Sequence, residues 1–351
     1  MDKTAHPNKS ILYAIMAAVC YGISSPVSKI ILEDIPPIFM ASLLYLGAGL
    51  GMGFVVLAKN PKDKIHTEAK LGRNDLPYII GMIALDITAP ILLMSGLMLS
   101  SPASVSLLNN FEIVATAVIA LAVFKEMVGK RMWLSIILIT ISTILLSFED
   151  IKSFSFSFGS LLVLGACVSW GFENNCTRML SLKNPLEIVV LKGFGSGIGS
   201  LIIAIVTKAY SIKIAGIFFA LLLGFFAYGL SVYFYILAQR NLGASRTSAY
   251  YAFAPFIGVI LSFIFFREAL TALFGAALVV MAVGTYLAVS ERHIHVHIHE
   301  PMEHEHRHNH KDGHHNHQHE TMEEEHSHLH THERMEHSHL HTPDLHHTHM
   351  H

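Results

Sequence analysis

The chain has 351 residues, of which 52% are hydrophobic and 14% charged, and its formal net charge is −2. Soluble domains carry about 25% charged residues. Here residues 291–351 hold 23 of the 25 histidines and 12 of the acids, so the first 290 residues are more apolar still and exclude a soluble globular core.

A bilayer-crossing helix needs about 20 mostly apolar residues. Ten such segments follow one another at roughly 11–32, 36–58, 76–99, 102–124, 132–148, 158–180, 186–207, 214–238, 245–266 and 270–289. The first lacks a small-residue cleavage pattern and reads as a span, not a removed signal peptide. The fold class expected is all-α integral membrane. Cys20, Cys167 and Cys176 all lie in apolar runs and read as small buried residues, not a disulfide frame. With a cytoplasmic N-terminus, inside connectors would hold fifteen Lys and Arg and outside connectors five. That asymmetry places both termini in the cytoplasm of a plasma or inner membrane.

Ionisable groups are costly in hydrocarbon and usually face a cavity or a partner. Asp86 stands alone in the third segment. In the fourth, Asn109, Glu112 and Thr116 share a helix face, with Asn110 and Ser106 beside it, as a cavity lining or an interhelical seam. In the sixth, "SWGFENNCTR" puts Glu173 between Ser169 and Thr177 on one face and Asn174 on the next, which fits a buried polar site or an interfacial helix end. Lys192, in the seventh, could balance Glu112, Glu173 or Asp86, or meet an anionic group of a substrate. Tyr251 aligns with Asn109 across the two halves and is a further candidate for substrate contact.

The halves align because the chain repeats itself. "GAGLGMG" at 47–53 is matched by "GFGSGIG" at 193–199, "AAVCYG" at 17–22 by "ACVSWG" at 166–171, and "FKE" at 124–126 by "FRE" at 266–268. Five spans is an odd number, so the second half enters the membrane inverted; such repeats place a site between the halves near the midplane. The glycines lie within spans with no preceding strand, and read as helix-packing positions instead of a phosphate cradle. The expected units are 11–149, 158–290 and a disordered His-rich tail at 291–351.

The tail begins "HIHVHIHEPMEHEHRHNHKDGHHNHQHE", running from His293 to Glu320. Its His293, His295, His297, His299, His304, His306, His308, His310, His314, His315, His317 and His319 offer imidazoles for a divalent ion such as Zn, Ni, Co or Cu. No resident cofactor is needed otherwise.

The ends of the fourth and ninth segments, "FEIVATAVIALAVFKE" and "FAPFIGVILSFIFFRE", complete a pattern. Together with ten spans and the inverted repeat, they resemble drug/metabolite transporters built from two EamA-type repeats. In that family the fourth span of a repeat often carries an acid and a proline, then a glycine and a glutamate at its far end. Glu112 fits the acid, Pro255 the proline, and Glu126 and Glu268 the terminal glutamates. Ile113, Ala254, Lys125 and Arg267 depart from the pattern. The resemblance implies a non-enzymatic secondary transporter of small metabolites, such as amino acids or related solutes, working commonly outward. The alternatives are an exporter of a divalent metal or metal–ligand complex fed by the tail, and a membrane metal receptor that transports nothing. Expected partners are the lipid bilayer, a small-molecule substrate and divalent ions; no nucleic acid is expected, and a homodimer is admitted.

Overall fold

A computed structural model describes residues 7–58, 71–124, 129–150, 155–180, 183–242, 247, 250–268, 270–290, 293–299, 302–308, 326–332 and 335–341. The helical bundle is taken here as spans 1 to 10. Span 1 is Pro7–Gly22 with Ser24–Ile31, span 2 is Pro37–Ala58, span 3 is Leu76–Leu99, span 4 is Pro102–Leu108 with Phe111–Phe124, and span 5 is Lys130–Ser147. Span 6 is Phe158–Met179, span 7 is Pro185–Val206, span 8 runs from Ile214 to Leu242, span 9 ends in Ala254–Phe266, and span 10 is Ala272–Val289.

Eight of these helices are long and apolar enough to cross a membrane. Span 6 has the length, at 22 residues, but Glu173, Asn174, Asn175 and Arg178 in its last turns dilute its apolar character. Span 9 is a shorter apolar helix of 13 described residues. Large apolar side chains such as Phe54, Ile202, Phe218 and Val279 stand exposed on the outside of the bundle, where lipid would meet them.

The neighbours repeat themselves as the sequence does. Span 3 packs on span 6, and their equivalents, spans 8 and 1, pack on each other. Span 4 packs on span 6 as span 9 packs on span 1; spans 2 and 7, 4 and 9, and 5 and 10 pair with their own equivalents. Each interface therefore joins the two halves or its image does, as an inverted repeat requires.

Close approach at these crossings depends on small residues and backbone acceptors. A Cβ on Gly193 would lie 2.5 Å from the Gly49 Cα, and one on Gly47 would lie 2.1 Å from the Leu221 carbonyl oxygen. Ser42 Oγ donates to the Gly197 carbonyl at 3.0 Å, and Ser231 Oγ to the Ala17 carbonyl at 2.9 Å. Ser135 and Ser142 donate to the Gly284 and Ala277 carbonyls at 2.8 and 2.7 Å, sewing span 5 to span 10. The packing expectation for the glycine runs holds.

Several of the helices are interrupted. Pro26 has no N–H for the Gly22 carbonyl, and span 1 breaks there at Ile23. Pro90 in span 3 leaves the carbonyl of Asp86 without its helical donor. Span 4 breaks at Asn109 and Asn110, where the Asn110 amide takes the Leu107 carbonyl at 3.4 Å in competition with the backbone. Span 9 breaks at Ala252 and Phe253, just before Pro255 and within one residue of the equivalent place. Span 8, the equivalent of span 3, widens to a π-helical turn at Phe225–Leu230 around Tyr228.

A short antiparallel hairpin of Phe148–Asp150 and Ser155–Phe156 joins the halves. In the tail, His293–His299 pairs antiparallel with Met335–His341, and Met302–His308 with His326–His332. His310, His314, His315, His317 and His319 lie outside the described residues, as does Glu126.

Candidate functional site

The irregular turns of spans 1, 3, 4, 8 and 9 surround two polar groups of side chains. Membrane proteins tolerate non-helical backbone at depth where protein or a cavity covers it.

The first group is an ion triad. Lys192 of span 7 places its Nζ 2.8 Å from Glu173 Oε1 of span 6 and 3.2 Å from Asp86 Oδ2 of span 3. Tyr45 of span 2 donates to the other Asp86 oxygen at 2.8 Å, and Thr177 donates to Glu173 one turn along its own helix. Asp86 is fully buried and Glu173 nearly so, while Lys192 is partly exposed. Asp86 is thus not alone, as its isolation in the third segment suggested. Its partners come from two other spans, and the buried charges neutralise one another in part. Glu173 faces these partners inside the bundle.

The second group is built on the break in span 4. Glu112 occupies the first turn of the helix that resumes after the break, where the helix dipole favours a carboxylate. Asn174 of span 6 donates its amide to Glu112 Oε1 at 2.7 Å and to Thr116 Oγ1 at 3.2 Å. Asn175 donates to the Thr116 carbonyl at 3.3 Å and to Gly171 at 2.8 Å, holding spans 4 and 6 together. Cys167 lies against the Leu108 and Asn109 carbonyls at 3.7 and 3.9 Å, offering one weak donor to the backbone at the break.

Asn110, expected among substrate contacts, points elsewhere. It is buried, donates to Leu107, and receives the Thr285 hydroxyl at 3.5 Å across to span 10. Asn109 is also buried, and its Oδ1 has no donor among the described residues.

An arc of tyrosines joins the two groups. Tyr235 meets Tyr251 at 5.1 Å between ring centroids, Tyr251 meets Tyr21 at 5.8 Å, Tyr21 meets Tyr228 at 6.1 Å, and Tyr228 meets Tyr45 at 5.4 Å. The Glu112 carboxylate acts electrostatically on Tyr21, Tyr228 and Tyr251. Sequence reasoning reached Tyr251 but not Tyr21 or Tyr45 as site residues. The face shared by Tyr228, Ser231 and Tyr235 was the one available signal. Glu112, Asn174, Tyr21, Tyr251 and Lys192 are all half-buried although they lie within the bundle.

At one end of the bundle, Lys29 donates to the carbonyls of Leu97, Met98 and Ser100 at 2.6, 3.1 and 3.0 Å, tying span 1 to the end of span 3. It caps a helix end. Glu268 accepts the Ala103 N–H at 3.4 Å at the start of span 4, and Lys213 pairs with Asp34. At the other end, Lys183 pairs with Asp75 at 3.0 Å. Among the described residues, no group of three or more His, Cys, Asp and Glu could hold a metal ion. His293, His295, His297, His299, His304, His306 and His308 lie in the paired tail segments.

Known proteins share this architecture. A solved crystal structure, 15% identical, overlays 80% of this chain and 95% of its own with a TM-score of 0.58, a likeness of fold. An uncharacterized transporter of Methanothermobacter thermautotrophicus is 26% identical over 291 residues, 78% of this chain and 84% of the relative. The uncharacterized transporter YyaM of Bacillus subtilis is 25% identical over 206 residues, 56% of this chain and 67% of the relative. The model of the EamA-like transporter family matches residues 8–148 and 157–290, the two halves of the bundle in turn, so this multi-pass membrane chain belongs to the EamA-like transporter family.

Proposed function

We propose that the chain is a secondary transporter that exports a small metabolite by alternating access, with both ends in the cytoplasm and a tail that binds divalent metal. The observation that carries this reading is the half-buried polar site at the junction of the repeats. Glu112 and Asp86 come from the first half, Glu173, Asn174 and Lys192 from the second, and broken helices converge on them. Buried charges cost stability unless they serve a partner or a path. Rocking one half against the other would expose this site first on one side and then on the other. The ties that cross the halves at the two ends, Glu268 with Ala103 at one and Asp75 with Lys183 at the other, stand where such rocking has to make and break contacts.

Glu112→Gln is the decisive variant. Its amide keeps the shape and can still accept from Asn174, so folding should persist while counterflow of metabolites through proteoliposomes falls at least tenfold. Undiminished counterflow would reduce the Glu112 stripe to a packing seam.

A further inference from the structure

Three carboxylates and one ammonium meet at the centre of this bundle, and the pairing among them is unequal. Lys192 is shared by Asp86 and Glu173. Glu112 receives a neutral amide from Asn174, and among the described residues no ion pair satisfies it. Besides Asn174, which donates to it, the groups that interact with it electrostatically from neighbouring elements are Tyr21 of span 1, Cys167 and Glu173 of span 6, Lys192 of span 7, Tyr228 of span 8 and Tyr251 of span 9. Lys192 is the one cation in that set, and it is already engaged twice. With its carboxylates ionised, the site therefore carries more negative than positive charge.

The walls favour the same sign. Tyrosine ring faces attract cations within about 6 Å of the centroid, more strongly where water is excluded. Tyr21, Tyr228 and Tyr251 form consecutive ring contacts on the side of the site governed by Glu112. Asn109, whose backbone carbonyl accepts the Glu112 N–H at 3.1 Å across the break, holds a buried side-chain acceptor oxygen with no donor among the described residues. A ligand N–H would supply one. A carboxylate or phosphate placed here would face Glu112 and meet no free positive charge.

We infer that the transported solute is a small organic cation, whose ammonium is held by Glu112 and Asn109 against the tyrosine arc. The inference rests on the transport reading and narrows it to a charge class. It also gives the ion triad a separate task. Lys192 holds Asp86 and Glu173 in place, so that Glu112 is the carboxylate left open to the solute.

The test uses the full-length chain in proteoliposomes and three probes on one skeleton: phenethylamine, phenethyl alcohol and 3-phenylpropionate. Counterflow of the amine should exceed that of the alcohol and the acid at least tenfold. Glu112→Gln should remove that preference, Glu112→Asp should keep the preference at reduced rate, and Tyr21→Leu and Tyr251→Leu should raise the half-saturating amine concentration several-fold. Flux confined to the alcohol or the acid, or amine flux equal in the parent protein and Glu112→Gln, would overturn the assignment and leave transport standing. A mixed cellular metabolite extract serves as the control for transport itself. If no component of that extract exchanges through folded protein, the transport reading fails and the charge assignment falls with it.

Discussion

Lys192 is the residue whose removal should be felt most. Taking one partner from a buried ion pair costs about 3–5 kcal/mol, because the remaining charge is left unmatched. Lys192→Met would strand two carboxylates, Asp86 and Glu173, in the interior. We expect a marked fall in the thermal midpoint of detergent-purified protein. The triple variant Lys192→Met, Asp86→Asn, Glu173→Gln should recover most of it, since neutral partners of similar shape no longer need the ammonium. A midpoint for Lys192→Met equal to that of the parent would show that the triad contributes nothing to folding. Glu112→Gln should behave differently, with an unchanged midpoint and altered transport, because its carboxylate touches a neutral amide.

At the scale of the helix, glycines separate into those that permit an approach and those that merely occur. Gly193 and Gly49 sit backbone to backbone where spans 7 and 2 cross, and neither chain can yield to a methyl group. Gly193→Ala should destabilise by about 1–3 kcal/mol or abolish the monodisperse peak in size-exclusion chromatography. Gly275 has open space around it, so Gly275→Ala should be silent or slightly stabilising through helix propensity. Equal behaviour of the two variants would refute the crossing geometry. The glycine runs were legible in the sequence because they recur at a fixed spacing in both halves. The breaks in spans 1 and 4 were not, although Pro26 and the Asn109–Asn110 pair stood in plain view. A proline or asparagine in an apolar run marks a possible break, and neighbouring spans decide whether it opens. Asp86 looked solitary for the same reason. Its partner Tyr45 lies 41 residues away, and each tyrosine of the arc comes from a part of the chain that says nothing about the others.

The whole molecule offers two further tests. If both ends face the cytoplasm, a cysteine placed at Asn74 should react with an impermeant maleimide only after the cell is opened, and one at the exposed Ile212 should react in intact cells. The three native cysteines, which lie within spans, would first be replaced. The reverse labelling pattern would invert the orientation. For the tail, a chain ending at residue 290 should lose most Zn or Ni binding yet keep a folded bundle. Imidazole must be neutral to coordinate, and its ordinary pKa is about 6.5, so capture by the full-length chain should weaken as pH falls from 7 to 5. Calorimetric titration of both forms at two pH values reads this directly. Affinity that survives truncation would relocate the metal site to the bundle.

The two halves share a shape but not a charge. Asp86 has Tyr228 as its equivalent, Glu112 has Ala254, Glu173 has Ser24 and Lys192 has Leu46. A carrier with identical halves would be indifferent to which way it faced, because exchanging their conformations would return the same object upside down. On the alternating-access reading, that exchange would move fixed charge relative to the membrane, and a transmembrane voltage acts on each elementary charge with about 2.3 kcal/mol per 100 mV. The empty carrier would then rest in one orientation more than in the other, with its bias written in the residues that the repeat failed to copy.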